Sequence, residues 1–157
     1  MNTNGNAIKV INKLYKTIQN EKCEYISNIQ LINENLFEWE IQIFGPINSP
    51  YDGGLFTLYF KFTNDYPFKP PYVKFKTNIY HPNIAITDGK ICVDILNEKW
   101  SPANTIDSII MSIISLLNDP NPSSPLNAEA ADLYVKNIKE YRKKVRKFMI
   151  DKGAYIN

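Results

Sequence analysis

Between Tyr80 and Pro102 the chain gathers its only histidine, His81, one of its two cysteines, Cys92, and one of its two tryptophans, Trp100. Two prolines and the Asp88-Gly89 pair break any regular ladder through this stretch. A segment this long without strong secondary structure inside a compact domain tends to be functional. Its residue types narrow the chemistry. Cys92 is flanked by Ile91 and Val93, which suits a small buried hydrophobe as well as a nucleophile. A hydrolase built on Cys92 would need a basic imidazole beside the sulfur, and His81 is the one candidate. Pro82 makes that segment rigid, which equally suits a histidine that only holds structure together by hydrogen bonding. Gly53-Gly54 falls far short of a phosphate-binding fingerprint. What remains is a thiol near Asn83, whose amide can donate a hydrogen bond. That pairing suits acyl transfer, in which a thioester forms and its carbonyl oxygen gathers negative charge on attack.

The chain must then supply a frame for that loop. At 157 residues, 44% hydrophobic and 13% aromatic, it reads as one domain able to bury a core without disulfide or metal staples. Two cysteines and one histidine do not make a zinc site or a disulfide framework, so free thiols in a reducing, intracellular setting are expected. A net charge of +2 makes no case for nucleic acid. No apolar run reaches membrane length, and Met1 to Asn6 lacks the apolar segment of a secretion signal. Residues 1–6 read as a short flexible tail.

Ile8, Ile11, Tyr15 and Ile18 recur at helical spacing and predict a basic amphipathic helix from Ala7 to Gln19. Four strands follow. Cys23 to Leu31 closes at the turn Asn33-Glu34-Asn35. Phe37, Trp39, Ile41 and Ile43 alternate with Glu38, Glu40 and Gln42; Phe56, Leu58, Phe60 and Phe62 alternate with Thr57, Tyr59 and Lys61; a short strand runs from Tyr72 to Lys76. Ile106, Ile109, Ile110, Ile113, Ile114 and Leu117 mark a helix buried on a wide face, capped by Asn104 or Thr105. A third helix starts near Leu126. The last buries Ile138, Tyr141, Val145, Phe148 and Met149, with Lys136, Lys139, Arg142, Lys143, Lys144, Arg146 and Lys147 on its other faces. Those cations form either a solvated face or a dock for an acidic partner. The fold class is α+β: helix, four-stranded antiparallel meander, active-site loop, three helices.

Six motifs in order resemble the ubiquitin-conjugating enzyme family, and the resemblance covers nearly the whole chain. They are Gly45-Pro46 with Ser49-Pro50-Tyr51-Asp52-Gly53-Gly54; Asp65 to Pro71; Tyr80-His81-Pro82-Asn83; Ile91-Cys92-Val93-Asp94-Ile95-Leu96; Trp100-Ser101-Pro102-Ala103; and Asp119-Pro120-Asn121-Pro122. The resemblance implies that Cys92 accepts ubiquitin from an activating enzyme as a thioester on its C-terminal glycine. It implies that Asn83 stabilises the oxyanion or holds the active-site loop, and that His81 and Pro82 are structural. Asp94 and Asn121 match positions in the substrate groove, with Asp94 counted among the catalytic set. Lys9 and Lys13 of the first helix, with Pro67, Phe68, Ser101, Pro102 and Ala103, match the docking surface for ligases and the activating enzyme.

Two departures from the family pattern stand out. The loop from Asn83 to Cys92 is one residue longer than usual. At the gate after Asn121-Pro122 stands Ser124, where many members carry aspartate, and the run from Asn127 to Tyr134 is like that of the serine-bearing members. The resemblance further implies a bare, monomeric catalytic domain over residues 1–157 with no cofactor, since ATP is used by the activating enzyme. Its expected partners are ubiquitin, that enzyme, ligases and protein substrates, with neither nucleic acid nor membrane, in cytoplasm or nucleus. Three rival readings are a non-catalytic member, which would lack Cys92; a thiol hydrolase, which would need His81 as base; and conjugation of a ubiquitin-like modifier. The Asn48-Ser49-Pro50 loop lacks the insertion of the SUMO-conjugating type.

Overall fold

The computed structural model describes residues 3–21 and 23–156. Helix α1 spans Thr3–Asn20; Met1 and Asn2 of the expected tail lie outside the described residues, whereas residues 3–6 belong to the helix. Its buried stripe is Ala7, Ile11 and Ile18, with Leu14 and Tyr15 packed beside it. Ile8, expected in the stripe, is exposed, because small Ala7 lets the helix approach the core one position earlier.

Strands β1 (Ile26–Ile32), β2 (Asn35–Phe44), β3 (Leu55–Lys61) and β4 (Tyr72–Phe75) form an antiparallel sheet in sequence order. Asn33 and Glu34, both at positive φ (51° and 60°), make the two-residue turn that closes Ile32 onto Asn35. Such turns twist the way strands do. Cys23 precedes β1 instead of entering it, and is half-buried. The alternating residues fall as their spacing dictates: Trp39, Ile41, Ile43, Phe56, Leu58 and Phe60 are wholly buried. The opposite face carries polar pairs, Glu38 with Tyr59 and Glu40 with Lys76 and Gln30.

A short 3-10 turn, Asp94–Leu96, precedes α2 (Ile106–Asn118), α3 (Ala128–Lys136) and α4 (Ile138–Asp151). Of the two expected caps for α2, Thr105 is the one used: its side chain accepts from the Ser108 amide while Ser108 returns a bond to the cap. Helix α3 begins two residues later than its apolar pattern implies, since Asn127 caps it through the Ala130 amide. The inner face of the sheet, the isoleucine face of α2, and Tyr141, Val145 and Met149 of α4 share one core. Ile138 and Phe148, expected in the same stripe, sit half-exposed and at the core's edge. Much of the basic surface of α4 is internally paired: Lys143 to Glu140, Lys144 to Glu129 and Lys147 to Asp151. Arg146 points inward to the Pro50 and Asp52 carbonyls (3.4 and 3.3 Å). These contacts favour the solvated reading of the cluster. No described helix is long and apolar enough to cross a membrane.

Candidate active site

The loop that reads as irregular in sequence is a tight hairpin. The Cys92 amide donates to the Asn83 carbonyl (2.9 Å), Ile84 pairs with Ile91, and Ala85 donates to the Lys90 carbonyl (2.9 Å). Gly89 closes the tip at φ 76°, with a would-be Cβ only 1.9 Å from the Phe75 carbonyl oxygen, so no side chain fits there. Phe75 in turn donates to the Gly89 carbonyl (2.9 Å), which fastens the hairpin to the edge of β4. Residues Ile86 to Asp88 form the exposed tip of this hairpin, while its Asn83–Cys92 end is closed by the bond between those two backbones.

The segment Tyr80 to Asn83 is bonded on every side. The Tyr51 hydroxyl donates to the Tyr80 carbonyl (2.5 Å), so the 2.9 Å contact between Tyr51 and Tyr141 has Tyr141 as donor. Pro82 offers its carbonyl to both the Leu126 and Asn127 amides (2.8 and 3.0 Å). His81 is wholly buried. Its Nδ1 accepts from the Asn83 amide (2.9 Å), which leaves Nε2–H to donate to the Leu116 carbonyl (2.7 Å) at the end of α2. Burial holds the imidazole neutral, with a pKa pushed down to about 4 against the pull of the Leu116 bond. With both nitrogens committed to backbone groups, His81 cannot serve as a base for Cys92, and the hydrolase reading fails on that geometry.

Asn83 is also wholly buried. Both protons of its amide are spent, on the Asn121 carbonyl (2.7 Å) and the Ser124 carbonyl (3.0 Å), and its oxygen accepts from the Asn121 amide (2.8 Å). In this arrangement the side chain clamps the 121–124 loop and leaves no proton for an oxyanion. Cys92 itself is partly exposed. It opens onto a groove of about 570 Å³, lined also by Asp94, Glu98, Met111, Ser115, Asp119, Asn121 and Ser124. The structure thus brings Cys92, Asp94, Asn121 and Ser124 to one groove, with Asn83 beneath it. Sequence reasoning missed the outer face of α2. The signal available was Met111, an apolar residue out of phase with the isoleucine stripe and 44% exposed.

The expected docking residues sit apart from this groove. Phe68 is 78% exposed, and Ser101, Pro102 and Ala103 are exposed with it. The two loops are tied together, since the Trp100 indole donates to the Pro67 carbonyl (3.0 Å) and its ring packs 6.1 Å from that of Tyr66. Lys9 and Lys13 line a shallow depression on α1 with Lys16 and Glu21. Among the described residues, no three His, Cys, Asp or Glu side chains gather as metal ligands.

A thiol at the rim of an open groove, with the chain's one imidazole locked elsewhere, has the build of an acyl-group carrier. Comparison with known proteins agrees. The family model for ubiquitin-conjugating enzymes matches residues 10–149. Ubiquitin-conjugating enzyme E2 3 of Arabidopsis thaliana is 48% identical over 131 residues, covering 83% of this chain and 86% of that protein. The chain belongs to the ubiquitin-conjugating enzyme family. It is an enzyme of thioester-linked ubiquitin transfer, with ubiquitin, an activating enzyme and ligases as its classes of partner.

The buried histidine has a measurable consequence. Unfolded, His81 titrates near 6.5; folded, it holds out to about 4. Between those values the unfolded chain binds the extra proton, so stability is full above about pH 6.5 and declines as pH falls towards 4. As the only histidine, it gives a single set of imidazole resonances. Those resonances should stay in the neutral Nε2–H form down to about pH 5, and titration near 6.5 in the folded protein would refute the account.

Proposed function

We propose that Cys92 is the residue that carries ubiquitin, and that the groove beside it receives the acceptor amine. The Cys92 thiolate attacks the thioester of the charged activating enzyme, displaces that enzyme's thiolate, and takes the acyl group onto its own sulfur. A lysine amine entering the groove then attacks the carbonyl. The Cys92 thiolate leaves, the isopeptide bond forms, and the amine's proton passes to solvent. The observation that carries this reading is the placement of Cys92 at the rim of the one groove that also collects Asp94, Asn121 and Ser124. Incubated with activating enzyme, ATP and ubiquitin, the protein should gain a thiol-sensitive adduct on a non-reducing gel. Cys92→Ala should lose it and Cys23→Ala should keep it. Charging that survives Cys92→Ala defeats the assignment.

In this reading Asn83 acts by position. Its three bonds hold the loop that walls the groove, and His81 and Pro82 hold the segment from which it projects. Removing the amide strands the Asn121 N–H and two carbonyls, each worth about 1–3 kcal/mol when left unpaired in the interior. Asn83→Ala should therefore cost about 3 kcal/mol of unfolding free energy, measured by denaturant titration at a temperature where the variant remains folded. It should slow discharge of the thioester onto free lysine by at least tenfold while charging persists. Equal losses in both steps would make Asn83 a residue of the fold alone.

Ser124 is assigned to the gate without a charge of its own. A carboxylate there would orient an incoming amine and accept its hydrogen bond, which serine does less well. Ser124→Asp should speed single-turnover discharge onto lysine severalfold, most visibly below pH 8, with charging unaltered. Identical rates across pH would remove position 124 from the gate. The remaining assignments follow the same reading. Asp94 and Asn121 shape the acceptor path, and Lys9, Lys13, Pro67, Phe68, Ser101, Pro102 and Ala103 receive the activating enzyme and ligases. Ubiquitin is preferred over a ubiquitin-like modifier on the short Asn48-Ser49-Pro50 loop. The enzyme works as a monomeric single domain in cytoplasm or nucleus, binding no cofactor, nucleic acid or membrane.

A further inference from the structure

One buried side chain grips the active-site segment from far away in the chain. Tyr51 lies between β2 and β3 and is wholly buried. Its hydroxyl donates to the Tyr80 carbonyl (2.5 Å) and accepts from Tyr141 of α4 (2.9 Å). Its ring centroid lies 5.9 Å from that of His81. Tyr51 thus holds the main chain just before His81 and packs on the imidazole that accepts from the Asn83 amide. A phenol has a single proton to give, so the bonds run one way, from Tyr141 to Tyr51 to Tyr80. Burial first, then the neighbouring Tyr141, holds the Tyr51 phenol well above the usual tyrosine range. That proton therefore stays in place at neutral and mildly alkaline pH.

The turn that presents Tyr51 is fixed from two sides. Within it, the Ser49 hydroxyl donates to the Pro46 carbonyl (2.6 Å) and accepts from the Tyr51 amide (3.1 Å). From outside, Arg146 reaches the carbonyls of Pro50 and Asp52, the two neighbours of Tyr51. The Arg146 guanidinium lies 5.3 Å over the ring of Tyr155, a cation–π contact. Segment 153–156 is stitched to the same turn. The Leu55 amide donates to the Ala154 carbonyl and the Ile156 amide to the Gly53 carbonyl, both at 2.9 Å. The Tyr155 ring rests on Gly53, where a Cβ would come within 2.6 Å of it. An unbroken run of contacts leads from Tyr155 through Arg146 to the residues flanking Tyr51, and from the Tyr51 hydroxyl to the active-site segment.

We propose that Tyr51 is a positioning residue for transfer of the modifier to lysine, and that segment 153–156 sets its place through Tyr155 and Arg146. The proposal rests on the reading of Cys92 as the carrier and of Asn83 as the clamp on the groove wall. The Tyr51 bond fixes the chain three residues before Asn83. Releasing that carbonyl lets Asn83 move, and with it the 121–124 loop that walls the path of the attacking amine. A misplacement of about 1 Å in such a site costs about 10²-fold in rate. Charging asks less of this segment, because the partly exposed Cys92 thiol meets a thioester held by another enzyme. A partner that peeled segment 153–156 from the turn would slow transfer without touching the groove.

The test is single-turnover discharge of preformed thioester onto free lysine, at a temperature where circular dichroism shows each variant folded. Tyr51→Phe keeps the ring contacts with His81 and Phe56 (6.1 Å) and removes only the hydroxyl. It should lower the maximal rate about tenfold, leave the half-saturating lysine concentration unchanged, and still charge. Tyr141→Phe, which leaves the Tyr80 bond in place, should slow discharge less. Tyr155→Ala should slow it severalfold in the wild-type background and no further in Tyr51→Phe, since both act through one bond. Tyr155→Phe, which keeps the ring, should restore the rate. The imidazole resonances of His81, the only histidine, should shift in both Tyr51→Phe and Tyr155→Ala. Should Tyr51→Phe fail to fold, Tyr155→Ala and those resonances decide the matter. Discharge at the wild-type rate, equal losses of charging and discharge, effects of Tyr51→Phe and Tyr155→Ala that simply multiply, or unmoved His81 resonances would each overturn the proposal while leaving Cys92 as the carrier. Failure of wild type to charge on Cys92 would overturn both.

Discussion

The buried carboxamide of Asn83 is the joint on which the site depends. Its three bonds reach across to residues 121 and 124, while its backbone reaches Cys92 on one side and His81 on the other. The segments so joined come from the loop that follows α2 and from the hairpin, nearly forty residues apart in sequence, so no local preference could bring them together. Burying an amide is costly unless all of its hydrogen-bonding capacity is met, and here each amide proton has a carbonyl. A polar joint of this kind demands one geometry. An apolar residue in its place would tolerate the loop at several distances, whereas a fully satisfied network admits one. The neutral imidazole of His81 extends the same joint to the end of α2.

A second line of contacts ties the first helix to the two exposed loops. Tyr15 of α1 packs on Trp39 (5.1 Å), Trp39 on Phe62 (4.6 Å), Phe62 on Tyr66 (5.0 Å), and Tyr66 on Trp100 (6.1 Å). Each ring is large and rigid, with few rotamers to lose on burial. The row therefore carries the position of the basic helix through the sheet to the exposed Phe68 and the Ser101–Ala103 turn. The Trp100 indole adds the directional bond that keeps the two loops abreast.

Much of this was legible in the sequence, for reasons that differ from element to element. Strands β2 and β3 alternate from Phe37 to Ile43 and from Phe56 to Lys61, and a period of two leaves no choice of face. The isoleucines of α2 fix its buried side in the same way. The first helix was legible except at Ile8, because Ala7 carries little hydrophobic signal and yet lies on the buried face with Ile11 and Ile18. The Tyr80–Pro102 stretch announced its importance by its residue types and concealed its form. Hairpin pairing between Asn83 and Cys92 depends on the edge of β4 and on Gly89 meeting the Phe75 carbonyl, neither of which leaves a periodic trace. Asn83 was picked out as a donor, but the recipients of its protons are loop carbonyls distant in sequence, and only folding identifies them.

The groove has an electrostatic character that its separate residues do not reveal. Asp94, Glu98 and Asp119 all line it, and among the described residues only Asp94 of the three has a cation partner, Lys99. A negative groove attracts an ammonium group, so it gathers lysine from solution. The same field favours the charged form of that lysine, and only the neutral amine can attack. Capture and activation are therefore opposed within one site. Ser124 lines the same groove without adding a further carboxylate to it. Bulk attraction remains while the local acceptor of the amine's hydrogen bond is weakened. On the proposed reading, such a groove would hold a lysine more readily than it activates one, and desolvation of the amine would supply the missing share of activation.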